Sequence, residues 1–157
     1  MRTIRTALAP QAIILDLDGV LADIHSRKRI ASVADVERLA AERPIGVVTT
    51  CPRNLAESVL DHHGFLPHVR VVIGSEDGPC KPDPFPVRLA LQQLGQSAAW
   101  MLGDNPSDVI AARSAAVVPL AVLPHGIGSD AHLDRLRSAG AVRFVDGVGG
   151  LLALLAD

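Results

Sequence analysis

Tyrosine is absent, and aromatic residues make up only 3% of the chain. Few flat side chains remain on which successive bases could stack, which argues against a nucleic-acid partner. Two cysteines, Cys51 and Cys80, are too few for a disulfide framework, and neither stands in a close Cys/His set of zinc-ligand spacing. No uninterrupted apolar run is long enough to cross a bilayer, so no membrane association is expected. Neither sign of charge dominates: Lys and Arg total 15 against 17 Asp and Glu, a formal net charge of −2, which gives no reason to expect a polyanionic partner. Met1 to Pro10 lacks the apolar stretch and small-residue cleavage pattern of a secretory signal, and a cytoplasmic location is expected.

What is present is an apolar fraction of 48% in 157 residues, enough for one core without staples. Residues 1–157 are expected to form a single domain. Short apolar runs alternate with stretches of helical period. Ala12-Ile13-Ile14-Leu15, 45–49, 69–73, 99–102 and 117–123 read as strands, with a short one at 141–145. Helices are expected over 32–43 with Ser32 as N-cap, from Pro52 to Gly64, to Gly95 through Val87, Ala90, Leu91 and Leu94, over 106–114 capped by Asn105, and over 130–139 and 148–156. Continuously apolar strands between amphipathic helices are what a parallel sheet covered on both faces requires. Pro119 inside the fifth strand suggests an edge or irregular position.

The polar residues fall in a pattern. Asp16 and Asp18 follow the first strand, Thr49 ends the second, Lys81 follows the third, and Asp104 and Asp108 follow the fourth. In an open parallel sheet these strand ends share one edge, so residues far apart in sequence converge there. Carboxylates plus water make a hard oxygen site suited to Mg²⁺ beside a phosphate. Lys81 can offset phosphate charge, Thr49 can donate a hydrogen bond, and backbone amides near Leu17, Asp18 and Thr50 can hold phosphoryl oxygens. Taken singly, each has a plainer explanation: Asp16, Asp18 and Gly19 as turn formers, Thr49 as a β-favouring residue, Lys81 as a solvated charge, Asp104 and Asn105 as helix caps. The shared edge favours function for the set.

Asp16-Leu17-Asp18-Gly19-Val20-Leu21 resembles the first motif of the haloacid dehalogenase-like superfamily, and Val47-Val48-Thr49 its second. Lys81-Pro82-Asp83-Pro84 resembles the lysine motif, and Gly103-Asp104-Asn105-Pro106-Ser107-Asp108 the acidic fourth motif. The resemblance spans roughly residues 11–123 and is closest to phosphoglycolate-phosphatase-like members. It implies an α/β fold, a Rossmann-like three-layer α/β/α sandwich around a mostly parallel sheet of core order 5-4-1-2-3. It also implies a Mg²⁺-dependent phosphomonoester hydrolase in which Asp16 is the nucleophile and becomes an aspartyl phosphate. Asp18 would act as general acid and then base, while Asp16, the Asp18 carbonyl and Asp104 hold Mg²⁺ and Asp108 orients Lys81 or metal-bound water. Dehalogenase and phosphonate-cleaving branches lack an aspartate two residues after the nucleophile, so Asp18 favours a phosphatase.

Between Asp18 and Thr49 the helix entering the second strand uses most of the chain, and another helix fills the stretch from Lys81 to Asp104. No substantial cap domain is expected. That predicts an open site, or one completed by a bulky substrate or by a second copy of the chain in a homo-oligomer. The expected substrate is a small phosphorylated metabolite. His25-Ser26-Arg27-Lys28-Arg29 could hold a second anionic group of the substrate or be a solvated turn, and it admits a nucleic-acid-end phosphatase as a lower-ranked alternative. Arg53 reads as an exposed first-turn helix residue within possible reach of substrate, His125 as a turn residue near the same edge, and Cys51 and Cys80 as small buried thiols. A receiver domain also carries acids, a threonine and a lysine, but places its phosphoacceptor after the third strand; a silent phosphate-binding domain is disfavoured by the intact Asp16/Asp18/Lys81/Asp104 set.

Overall fold

The computed structural model describes residues 9–157. Most of the Met1 to Pro10 stretch, read above as lacking a secretory signal, lies outside the described residues. The chain forms β1 (Ala12–Leu15), β2 (Ala22–Asp23), β3 (Lys28–Arg29), α1 (Val33–Glu42), β4 (Ile45–Val48), α2 (Arg53–His62), β5 (Val71–Ile73), α3 (Phe85–Leu94), β6 (Ala99–Gly103), α4 (Pro106–Ser114), β7 (Val118–Val122), α5 (Ser129–Ala139), β8 (Arg143–Val145) and α6 (Val148–Ala156). Six strands make one sheet in the order β5-β4-β1-β6-β7-β8, every neighbouring pair parallel. With the short β2–β3 hairpin set aside, this is the expected 5-4-1-2-3 core read from the other side, extended by β8.

β1 is central, and its four residues are fully buried because helices cover both faces of the sheet. Its side chains alternate between two cores. Ile13 and Leu15 join Val36 and Leu39 of α1, Ala56 and Leu60 of α2, and Val148 and Leu151 of α6. Ala12 and Ile14 join Val87, Ala90 and Leu94 of α3 with Ala111 and Ala112 of α4. A smaller cluster of Val109, Ala121 and Leu136 seats α5. The chain therefore leaves β1 toward α1 on one face and reaches β6 through α3 on the other. The two directions part between β1 and β6, where an open α/β sheet forms its crevice.

Local chemistry sets the element ends. The Ser32 hydroxyl accepts the Asp35 amide at 3.1 Å and starts α1. Gly95, at φ 69°, stops α3. Pro52 lies one residue outside α2 rather than opening it. The third strand begins at Val71, because Leu66–His68 is a 3₁₀ turn. Pro119 is not on an edge strand, since β8 lies beyond β7. Its carbonyl accepts from Val142, just before β8, so the missing N–H faces the stretch where β8 has not yet begun. The β2–β3 hairpin is the only strand pair between β1 and α1, and no large cap is present among the described residues. No helix among the described residues is long and apolar enough to cross a membrane.

Candidate active site

Asp16 continues β1 by one residue: its amide donates to Leu102 O at 3.0 Å, so its side chain emerges where β1 and β6 diverge. The following turn folds tightly, with the amides of Val20, Leu21 and Ala22 all donating to the Leu17 carbonyl. Gly19 occupies the left-handed region at φ 87°, and a Cβ there would stand 1.8 Å from Asp104 Oδ2. Only glycine lets this turn lie against the end of β6.

Thr49 is buried at the end of β4, its amide on Ile73 O, and its hydroxyl accepts the Cys51 amide at 3.1 Å. Its own hydroxyl proton remains to be donated. Lys81 reaches in from the loop after β5, with its side chain only 3% exposed. Nζ lies 3.0 Å from Asp16 Oδ1, 3.0 Å from Val48 O and 2.6 Å from Asp108 Oδ1, so three acceptors match three N–H bonds. Asp16 Oδ1 also accepts the Leu17 amide at 2.8 Å.

Asp108 occupies the first turn of α4, where Oδ2 accepts the amides of Asp104 and Asn105, each at 3.1 Å. A carboxylate suits that position, because the first amides of a helix lack partners within it. One oxygen of Asp108 thus fixes the Asp104 loop and the other fixes Lys81. Gly103 permits this closeness, since a Cβ there would lie 2.4 Å from the Asp108 Cβ.

Asp16, Asp104 and Asp108 can each present an oxygen within 4.8 Å of the others. Against three carboxylates stands one buried ammonium, and the titration of the group records that imbalance. Burial pushes the Asp16 carboxyl well above its ordinary range, with Asp108 and Asp104 raising it further and Lys81 opposing. Asp104 is likewise raised, by burial first and then by Asp108, and Asp18 contributes. Burial disfavours charge on Lys81, but Asp108 and Asp16 outweigh it and its pKa is raised. Carboxylates this close repel one another, and a cation among them relieves that repulsion. The all-oxygen donor set and its surplus negative charge fit a hard divalent ion such as Mg²⁺.

Of the residues singled out from sequence, Asp16, Lys81, Asp104 and Asp108 meet directly, and Thr49 adjoins Val48, whose carbonyl Lys81 holds. The third carboxylate of the cluster belongs to Asp108, expected only to orient Lys81 or metal-bound water. Asp18 is exposed and its Oδ1 accepts the Ile24 amide at 3.0 Å, tying it to the β2–β3 hairpin. Thr50 is exposed beside Thr49. Arg53 does not extend freely: its guanidinium is paired with Asp77 and its amide donates to Glu76 Oε1 at 2.9 Å. His125 is an exposed loop residue. The expectation of two buried thiols is corrected, since Cys80 is exposed and Cys51 half-buried. His132 had no signal in the sequence, being a lone histidine on a polar helix. From α5 its Nε2 lies 2.6 Å from the Asp104 carbonyl.

Residues 33–122 match the model of the family described as haloacid dehalogenase-like hydrolase. A phosphoglycolate phosphatase of Rhodospirillum rubrum is 38% identical over 85 residues, 52% of this chain and 35% of that protein. An imidazoleglycerol-phosphate dehydratase of Phytophthora nicotianae is 36% identical over 112 residues, 70% of this chain and 22% of its own. The chain spans only about a fifth to a third of the length of these curated relatives. Among solved structures, a conserved haloacid dehalogenase-like protein of unknown function from Agrobacterium tumefaciens superposes with a TM-score of 0.73 at 18% identity, covering 93% of this chain and 97% of that one. A haloacid dehalogenase-like hydrolase from Streptococcus pneumoniae gives 0.73 at 18%, covering 92% and 98%. At such identities the likeness concerns the fold.

Proposed function

The chain belongs to the haloacid dehalogenase-like hydrolase family, and from that premise we propose that it is a phosphatase, hydrolysing phosphomonoesters through an aspartyl phosphate formed on Asp16 with Mg²⁺ as cofactor. The observation that carries this reading is the buried Asp16 carboxylate, fixed through Oδ1 by Lys81 and the Leu17 amide at the point where the sheet's connections diverge.

Mg²⁺ held by the carboxylates of Asp16 and Asp104 with the Asp18 carbonyl would offset the phosphate's negative charge, an electrostatic contribution that two like-charged reactants need. The remaining work falls to side chains. The Asp16 carboxylate attacks phosphorus, an oxygen–phosphorus bond forms as the ester oxygen–phosphorus bond breaks, and the Asp18 carboxylic acid gives its proton to the departing oxygen. Asp18, now ionised, takes a proton from a water whose oxygen attacks the same phosphorus, and Asp16 is released as carboxylate. The Thr49 hydroxyl and the amides of Asp18 and Thr50 support the phosphoryl oxygens, the Leu17 amide stays on Asp16 Oδ1, and Lys81 compensates charge as it moves onto those oxygens. Asp108 positions Lys81 and the Asp104 loop without touching substrate.

Phosphate release from p-nitrophenyl phosphate and a phosphomonoester panel that includes phosphoglycolate tests the proposal. Turnover should require Mg²⁺, cease with a chelator and fall to background in Asp16→Asn. Failure of the whole panel in the presence of Mg²⁺ would overturn it.

A further inference from the structure

A cavity of about 390 Å³ lies outside the aspartate cluster, between the β2–β3 hairpin and α2. Ile24 and Arg27 of the hairpin face Leu55, Val59, His62 and His63 of the helix. This is the lower end of the size range of small-molecule sites. Leu55 and His62 are about 10 Å apart along the helix axis, so the cavity can take an extended ligand. Its middle is apolar, and Leu55 stays 46% exposed there although a leucine on a helix gains from being covered.

Its lining carries one permanent cation, Arg27, and one carboxylate, Asp23. Arg27 has no ion-pair partner among the described residues. Asp23 is the lone acid of the lining, and its Oδ1 is already occupied by the amides of His25 at 3.0 Å and Ser26 at 3.2 Å. Burial and the nearby positive charge of His62 and Arg29 hold the His63 pKa down. Arg27 also holds the left-handed backbone conformation, φ 62°, at the turn of the hairpin. Glycine or asparagine serves such a turn at less strain. Turn formation therefore gives no reason for arginine, whereas an anion in the cavity does.

We propose that the groove between the β2–β3 hairpin and α2 is a second ligand site, one that takes an anionic group carried on a short apolar stem. The anion pairs with the Arg27 guanidinium and reaches the imidazoles of His62 and His63, while the stem lies on Ile24, Leu55 and Val59. The Ile24 amide also donates to Asp18, so the groove lies beside the residue that gives the leaving group its proton in the proposed reaction. Such an anion could be the far end of an extended substrate or a separate molecule. Binding is measurable without turnover, so the site stands or falls apart from the phosphatase reading.

Hexylphosphonate, which cannot be hydrolysed, is titrated into the ¹⁵N-labelled full chain without Mg²⁺ and followed by amide NMR. Saturable shifts of the Ile24, Leu55, Ser58 and Val59 amides are expected. Arg27→Asn keeps a turn-compatible residue and should weaken the dissociation constant about tenfold or more, the effect of losing a charge-assisted hydrogen bond. Arg27→Lys should restore part of it, and hexanol should bind far more weakly. Hexane-1,6-bisphosphonate moving groove and Thr49–Thr50 amides together with one tighter constant identifies the anion as the far end of a substrate. Hexylphosphonate filling the groove while inorganic phosphate occupies the cluster identifies a separate ligand. Groove amides that do not shift, shifts unchanged in Arg27→Asn, or equal binding of hexanol would overturn the proposal.

Discussion

Lys81 shows how much one side chain can organise. Its ammonium joins three elements: β1 through Asp16, β4 through the Val48 carbonyl and α4 through Asp108. Replacing it with methionine keeps volume but leaves two buried carboxylates without their cation. Loss of one partner from a buried ion pair costs about 3–5 kcal/mol, so Lys81→Met should lower the metal-free unfolding free energy by that order in denaturant titration as well as removing turnover. Asp18 is a contrasting case. Its exposed carboxylate holds only a hairpin amide, so Asp18→Asn should leave the unfolding midpoint nearly unchanged while phosphate release falls roughly 10²–10⁴-fold, the usual range for a general acid–base group. A fall in stability without loss of rate would assign Asp18 to the hairpin alone. Both residues were legible in the sequence, because an Asp two positions after another and a Lys before Pro82 stand just beyond apolar strand signals. Their difference in burial was not, since 3% exposure depends on which loops close over a side chain.

Long elements with a strong period were legible as well: β1, α1, α3, β6 and α4 stand within a few residues of where apolar spacing and caps put them. Two-residue strands carry no periodicity, which is why the β2–β3 hairpin went unseen and Arg27 had only charge as a signal. α5 was visible as a helix but its task was not, because a polar helix with one buried residue, Leu136, reads as surface. His132 gives it a task by bonding the Asp104 carbonyl. A hydrogen bond of this kind is worth about 1 kcal/mol, so His132→Ala should reduce kcat for p-nitrophenyl phosphate severalfold with KM little changed. It should also raise the Mg²⁺ concentration needed for half-maximal rate, a readout that loss of helix packing alone would not move.

At the scale of the whole molecule, the aspartate cluster links stability to pH and metal. Asp16 and Asp104 have folded pKa values raised above the ordinary 3.8. The folded state therefore binds more protons than the unfolded chain just above that value, and stability falls as pH rises through the folded pKa values. Thermal unfolding with a chelator should show a melting temperature that declines from mildly acidic toward neutral pH, and Mg²⁺ should restore it most at neutral pH. Each 1 kcal/mol recovered corresponds to roughly 2–4 °C in a chain of this size. Asp104→Asn should raise the metal-free melting temperature at neutral pH and abolish most of the Mg²⁺ shift; an unchanged shift would place the ion elsewhere. The sequence by itself determined the parallel α/β sheet and the convergence of Asp16, Thr49, Lys81 and Asp104 on one edge, because continuous apolar strands between amphipathic helices require a covered parallel sheet, while the strand order followed from the family resemblance of its motifs. Only the tertiary structure decided that Asp108 completes the carboxylate triad, that Asp18 is tied to a hairpin, that His132 braces Asp104 and that a groove opens between the hairpin and α2. Those relations depend on distances between side chains remote in the chain, which close packing fixes and local periodicity does not encode.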